Sequence, residues 1–217
     1  MKSLILKDLL NIGHNAKSML FMLIVFAIII VPQGGIEKYI ITSGILCSMM
    51  VITTFSFDDN SKWAKYAMVT PISRQEYVLS KFIVLLIFST IGVISGLIVG
   101  SIGGIFLNKL VLNINSMITI LTVTIVGLMI SIILGSMSIP LLFKFGAEKA
   151  RTLSIITFVI PVVICFAIYQ LLLLLGIELT EQFIVILLYS SPLIAIIWNF
   201  IMYKISYSIF SKKEIIL

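Results

Sequence analysis

Charge is what this sequence has least of. Only 11% of its 217 residues are Asp, Glu, Lys or Arg, against roughly a quarter in an ordinary soluble domain. With 60% apolar residues and a mean hydropathy of +1.23, too few polar side chains remain to cover a folded body in water, which excludes a soluble monomer. Disorder is excluded too, because it needs low hydrophobicity and high charge. Six apolar segments, residues 18–35, 39–57, 82–107, 116–143, 152–176 and 183–203, contain no Asp, Glu, Lys, Arg or His. Ion-coupled carriers and voltage sensors keep ionisable groups inside the membrane, because moving charge is their mechanism. Intramembrane proteases need a buried Asp pair or a His/Glu metal set. The only histidine, His14, has no partner at ligand spacing and reads as an interfacial polar residue. Cys47 and Cys165 each lie within an apolar run and read as small buried hydrophobes rather than a disulfide framework. There is no Gly-x-Ser-x-Gly elbow, and the stretch from Gly103 to Lys109 lacks the second glycine of a phosphate loop. The expectation is a chain with no catalytic site, no metal site and no ATP hydrolysis of its own.

What is present is an all-α integral membrane protein. Barrel strands are about ten residues long with alternating polarity, whereas these runs are continuously apolar and suit helices of about 20 residues. Six such helices leave room for loops and one short polar element, so residues 1–217 read as a single transmembrane domain. The first run ends in Val31-Pro32-Gln33-Gly34-Gly35 with no small-residue cleavage site, and is read as a retained helix rather than a leader. Residues 1–17 read as a short amphipathic helix in the membrane interface. Leu4, Ile5, Leu9 and Ile12 are placed on one face, with Lys7, Asp8 and Asn11 elsewhere and the lysines turned to anionic headgroups. All but Lys38 and Lys109 of the 15 lysines and arginines fall on one side if the termini are placed inside. The positive-inside rule therefore predicts six spans with both termini cytosolic. The net charge of +6 belongs to this bias. No basic run suggests nucleic acid.

Two patterns stand out. In the third span Gly92, Gly96, Gly100 and Gly104 recur every four residues, leaving one helix face without side chains, and Gly127, Ser131, Gly135 and Ser138 repeat this more weakly in the fourth. Such a face admits another backbone at close range, either for packing within the chain or as a surface that slides. The second pattern is the polar stretch 58–81. Asp58, Asp59 or Asn60 is expected to cap a short helix on which Trp63, Tyr66 and Ala67 share a face. Thr70-Pro71 breaks that helix, with Pro71 suited to open the next one, where Arg74, Tyr77 and Lys81 align. The aromatics fit an interfacial belt with basic anchors, and equally a docking element for a cytosolic partner. Thr119, Thr122, Thr124, Ser131, Gln170 and Asn199 are the polar candidates for a pathway through the spans.

At these residues the chain resembles the small membrane subunits of ABC-2 type exporters. The match consists of Asn60, Trp63 and Tyr66, then Thr70-Pro71-Ile72-Ser73-Arg74, then Ser80-Lys81. It is similar above all to small bacterial permeases for peptide or antimicrobial export and self-immunity, although the large extracellular loops of some relatives are missing. The resemblance implies a subunit of the bacterial cytoplasmic membrane. Two such chains would pair, as a homodimer or with a related chain, around a pathway for amphipathic or hydrophobic cargo. Each would contact a cytosolic ABC ATPase subunit that binds the ATP and Mg. Asn60, Trp63, Tyr66, Thr70, Pro71, Arg74 and Lys81 would form the coupling element, with the second inner loop around Lys144, Glu148 and Arg151 as a lesser contact. Two other classes stay open at this point. One is an ATP-independent carrier or channel, and the other is a non-transporting assembly or sensor protein.

Overall fold

The computed structural model describes residues 1–13, 16–107, 113–174 and 181–212, and no strand occurs among them. The helices are α1 (Lys2–Gly13), α2 (Ala16–Ser48), α3 (Met50–Asn60), α4 (Trp63–Val69), α5 (Arg74–Phe106), α6 (Ile114–Leu174) and α7 (Glu181–Lys212). Among the described residues, four stretches are long and apolar enough to cross a membrane: Ala16–Asn60, Arg74–Phe106, Ser116–Lys149 and Ser190–Lys212, with a shorter apolar helix at Pro161–Leu174. His14, Lys109, Glu178 and Lys213 lie outside the described residues, as do the side chains of Cys165, Arg151 and Glu181.

Two glycines divide the longest helices. Gly35 has φ 78° and ψ 177°, and Gly146 has φ 77° and ψ 170°, a region of backbone space essentially restricted to glycine. Pro32, Pro140, Pro161 and Pro192 lie inside helices and end none of them. At Gly35 the chain reverses. The Tyr39 hydroxyl donates to the Leu23 carbonyl at 3.0 Å across 16 positions of sequence, which an unbroken helix would separate by about 24 Å. The predicted segments 18–35 and 39–57 are therefore two arms folded together about one residue, without an intervening loop.

The second arm of α2 packs on the glycine face of α5. A Cβ at Gly92 would lie 2.7 Å from the Ser43 carbonyl oxygen, and one at Gly100 would lie 3.1 Å from both Ile36 and Tyr39. At Gly96 it would collide with the Ser43 hydroxyl, and Gly104 is buried on the same face. On the opposite face of α5, Ile91, Ile94, Ile98, Ile102 and Ile105 are exposed and form an apolar stripe suited to lipid. One helix thus carries a bare face for backbone contact and a branched face for acyl chains. Gly135 of α6 is similarly crowded by Leu85 and Ser48.

At one end, here called the base, α1 and α4 lie against the bundle, and a core forms from Leu4, Val51, Phe55, Tyr77, Leu85, Ile139, Phe143 and Phe210. The Phe143 ring meets Phe55 edge-on at 4.9 Å, and Tyr77 stacks on Phe210 at 5.2 Å. The face predicted for α1 packs on this core, with Leu4 and Ile12 buried and Ile5 and Leu9 partly so, but it also takes in a charged residue expected elsewhere. Its buried residues are Leu4, Asp8 and Ile12, at the i, i+4, i+8 spacing of one helix stripe, so Asp8 lies among the apolar contacts. Lys7 turns to a carboxylate of the bundle (below), while Leu6 and Leu10 are exposed on the outer side.

These contacts predict different outcomes for two neighbouring glycines. Gly92→Ala drives a methyl group into a backbone carbonyl that has no room to move, and is expected to destabilise by about 1–3 kcal/mol. Gly103→Ala meets only Val31 at 3.4 Å and should leave stability nearly unchanged. Thermal unfolding of the two variants in the same detergent checks the contrast.

Candidate functional site

Four ionisable side chains converge at the base from three helices. Lys7 and Asp8 come from α1, Asp58 from the end of α3, and Lys81 from the second turn of α5. The Lys81 ammonium donates to Asp8 Oδ2 at 2.8 Å and lies 2.6 Å from Asp58 Oδ2. Lys7 Nζ is 3.1 Å from Asp8 Oδ1 and donates to Asp58 Oδ1. The Tyr77 hydroxyl adds a bond to Asp58 Oδ2 at 2.9 Å. Two positive and two negative charges alternate, so the group is neutral as a whole. Lys81 and Asp8 are each 1% exposed. Lys81 also lies 4.9 Å from the Phe55 ring centroid, where the ring's negative face favours a cation. Removing these charges from water is costly, and the cost is offset only when every charge has a partner at short range.

Local sequence explains the convergence. Asp58 and Lys81 immediately flank apolar segments at the two sides of the 58–81 excursion, so folding α3 and α5 side by side brings them to one level. Asp8 reaches the same level because α1 lays its Leu4–Asp8–Ile12 stripe on α3 and α5. The three acidic or amide residues expected to cap the next helix do other work. Asp58 joins the ion group. Asp59 Oδ2 accepts from the Ala147 amide at 2.6 Å, capping the second arm of α6 where it starts after Gly146. Asn60 ends α3, and the position preceding α4 is Lys62, in left-handed conformation (φ 52°) with no capping bond.

The rest of the excursion follows the predicted break with one shift. Thr70 is extended (φ −83°, ψ 159°), as a residue before proline prefers. Pro71 does not open the following helix. That helix begins at Arg74 behind a capping box, in which the Glu76 amide donates to Ser73 Oγ at 3.2 Å and the Ser73 amide donates to Glu76 Oε2 at 3.1 Å. Ser73 supplies a hydroxyl for the exposed amides, which proline cannot do.

The residues singled out from sequence fall into three groups. Trp63 and Lys81 both lie at the base, with Lys7 Nζ 4.7 Å from the Trp63 ring and Ala67 the buried residue of α4. Lys81 is enclosed, so any influence it has on a partner passes through the chain's own packing. Arg74 donates to the Ser211 carbonyl, tying the start of α5 to the end of α7. Tyr66 departs from the face predicted for it: it is 64% exposed, as Val69 is at 72%. Thr70 bonds back to the Ala67 carbonyl at 2.6 Å. Asn60 is exposed at the edge of a polar cleft of about 610 Å³ that it shares with Ser56, Asp59, Phe145, Glu148 and Lys149. Gly92 to Gly104 stand apart, the nearest about 16 Å along α5 from Lys81. Sequence reading missed Asp8, Asp58 and Asp59 as structural anchors. The signal for Asp8 was its place four residues from both Leu4 and Ile12. For Asp58 and Lys81 it was their position at facing ends of consecutive apolar segments.

Among the described residues, no group of His, Cys, Asp and Glu is placed to hold a metal ion. The arrangement offers structural linkage rather than bond chemistry. One neutral ion group joins α1, α3 and α5, and an adjacent short helix stands on it.

The described residues thus form an all-helical apolar bundle with a short surface helix between its early spans. The sequence matches the family model described as ABC-2 family transporter protein over residues 3–211, and the chain belongs to this family. It is a transmembrane permease component. No curated protein and no solved structure matches it significantly.

The ion group predicts a large single-site effect with partial rescue. Lys81→Met leaves Asp8 and Asp58 sharing one ammonium and is expected to cost about 3–5 kcal/mol. Adding Asp8→Leu leaves a neutral Lys7–Asp58 pair and should recover much of that loss. The yield of monodisperse protein and its melting temperature report both. Asp59→Ala removes the Ala147 cap, with an expected loss of about 1 kcal/mol.

Proposed function

We propose that the chain forms half of an ABC-2 exporter in the bacterial cytoplasmic membrane, with six crossings and both termini in the cytosol. A second permease chain, identical or related, completes the pathway, and separate cytosolic ATPase subunits carry the ATP and Mg. Family membership supports the permease role. The observation that carries the coupling mechanism is the construction of α4. This seven-residue helix is held from beneath by Ala67 and by the Trp63 ring under Lys7, while Tyr66, Val69 and Lys65 are exposed. An exposed aromatic and an exposed valine on a short polar-flanked helix suit a groove in a partner.

In this reading the ATPase grips α4, and closure of the nucleotide-bound ATPase dimer displaces it. The ion group gives the displacement somewhere to go. Because Asp58 and Lys81 flank α4 in sequence and bind each other and α1, the base shifts as a unit and passes the motion into α5. Close packing between the glycine face of α5 and the second arm of α2 then carries it onward as a rigid-body or shear rearrangement. Asp59 brings α6 into the same movement through Ala147. Spans without internal charge suit amphipathic or hydrophobic cargo, such as a peptide or antimicrobial.

Tyr66→Ala combined with Val69→Ser is expected to reduce copurification with the ATPase at least about tenfold, the effect of losing a contact of about 1.4 kcal/mol or more, with an unchanged melting temperature. Undiminished copurification, or unchanged ATP hydrolysis by the assembled complex, contradicts docking through α4.

A further inference from the structure

A cavity of about 500 Å³ opens between α5, the first arm of α6 and α7, at the basal half of the bundle. Its walls include Phe82 and Leu86 from α5, Leu128 and Ile132 from α6, and Ile196 and Phe200 from α7. Ile196 and Phe200 are also exposed, so the cavity is a cleft that opens sideways where lipid surrounds the spans. We infer that this cleft binds one acyl chain of an anionic phospholipid drawn from the leaflet at the base.

The occupant follows from size, wall chemistry and charge. A single turn of helix, about 10–12 Å across and 5.4 Å high, would fill the whole volume, so the cleft suits one flexible chain better than a helix from another copy. Water is a poor tenant of an apolar cavity without several polar partners. At the basal end the wall reaches Tyr203, followed by exposed Lys204, whose ammonium lies 5.4 Å from the Phe200 ring. A hydrocarbon tail in the cleft therefore brings its phosphate to a cation at the depth where headgroups lie. The inference does not depend on α4 or on an ATPase.

The test uses the full chain in nanodiscs containing phosphatidylglycerol with a photoreactive acyl chain, compared with phosphatidylcholine carrying the same chain. Label is expected on residues 82–86 and 196–200 in excess of Leu20, Phe21, Ile24 and Ile28, which are exposed on α2 and line neither cavity described above. Lys204→Ala should lower the preference for phosphatidylglycerol about fivefold, the effect of one basic residue near an anionic surface. Leu86→Trp, at the exposed rim, should reduce cleft labelling without lowering the melting temperature. Even labelling of all exposed faces, equal labelling by both lipids, displacement by an added amphipathic peptide, or exclusion of label when two copies are cross-linked through Leu86 and Ile196 overturns the inference. Because labelling requires no partner, loss of ATPase docking leaves this readout intact.

Discussion

The base of this protein depends on a charge balance that must close. One ammonium group and two carboxylates are withdrawn from water at one point, with the partly exposed Lys7 ammonium at their edge, and the buried charges are tolerable only because the others are there. This requirement fixes the geometry around them. It holds α1 against the bundle by Asp8, sets α3 beside α5 by Asp58 and Lys81, and places α4 on the link between them. An apolar base would bury these helices as well, but hydrophobic contact is non-directional and tolerates sliding. An alternating ion group accepts one register, or a few discrete ones. That property suits an element whose displacement is to be transmitted rather than absorbed.

The remainder of the bundle divides its labour along single helices. α5 turns a bare glycine face to α2 and an isoleucine face outward, so one segment supplies both the closest backbone approach and a large lipid-facing surface. Gly35 and Gly146 serve differently. Their backbone angles let long apolar helices break within one residue, which keeps polar loop backbone out of apolar surroundings. At the base the described chain builds much of its polar structure: the ion group, the Asp59 cap, the Ser73 capping box and the Arg74 tie to α7. These polar contacts lie at the end that carries α4, the helix proposed as the docking element.

Much of this was legible in the sequence because the hydrophobic signal is coarse and strong. Long uncharged runs and the four-residue glycine period each follow from one-dimensional spacing. The Thr70–Pro71 break was also readable, since proline restricts its predecessor locally. What escaped were interactions between segments distant in the chain. Asp58 and Asp59 looked like helix caps because capping is a local rule, yet their partners are Lys7, Lys81 and Ala147, reached only after the helices pack. Asp8 was assigned away from the apolar face on polarity alone, whereas its burial is tolerated because Lys81 arrives from 73 residues further along. Tyr66 was grouped with Trp63 and Ala67 by spacing, but the helix is short enough for its face to be set by what lies beneath Ala67.

The most direct test of the account is whether α1 and α4 travel together when the ATPase engages nucleotide. Spin labels at positions 6 and 65 report the base, and a pair at positions 65 and 118 reports the base against the far end of α6. In the assembled complex, moving from the nucleotide-free to the ATP-bound state, the account predicts an unchanged 6–65 distance and a changed 65–118 distance. A 6–65 distance that shifts while 65–118 stays fixed contradicts it, because α4 would then move alone and the ion group would transmit nothing.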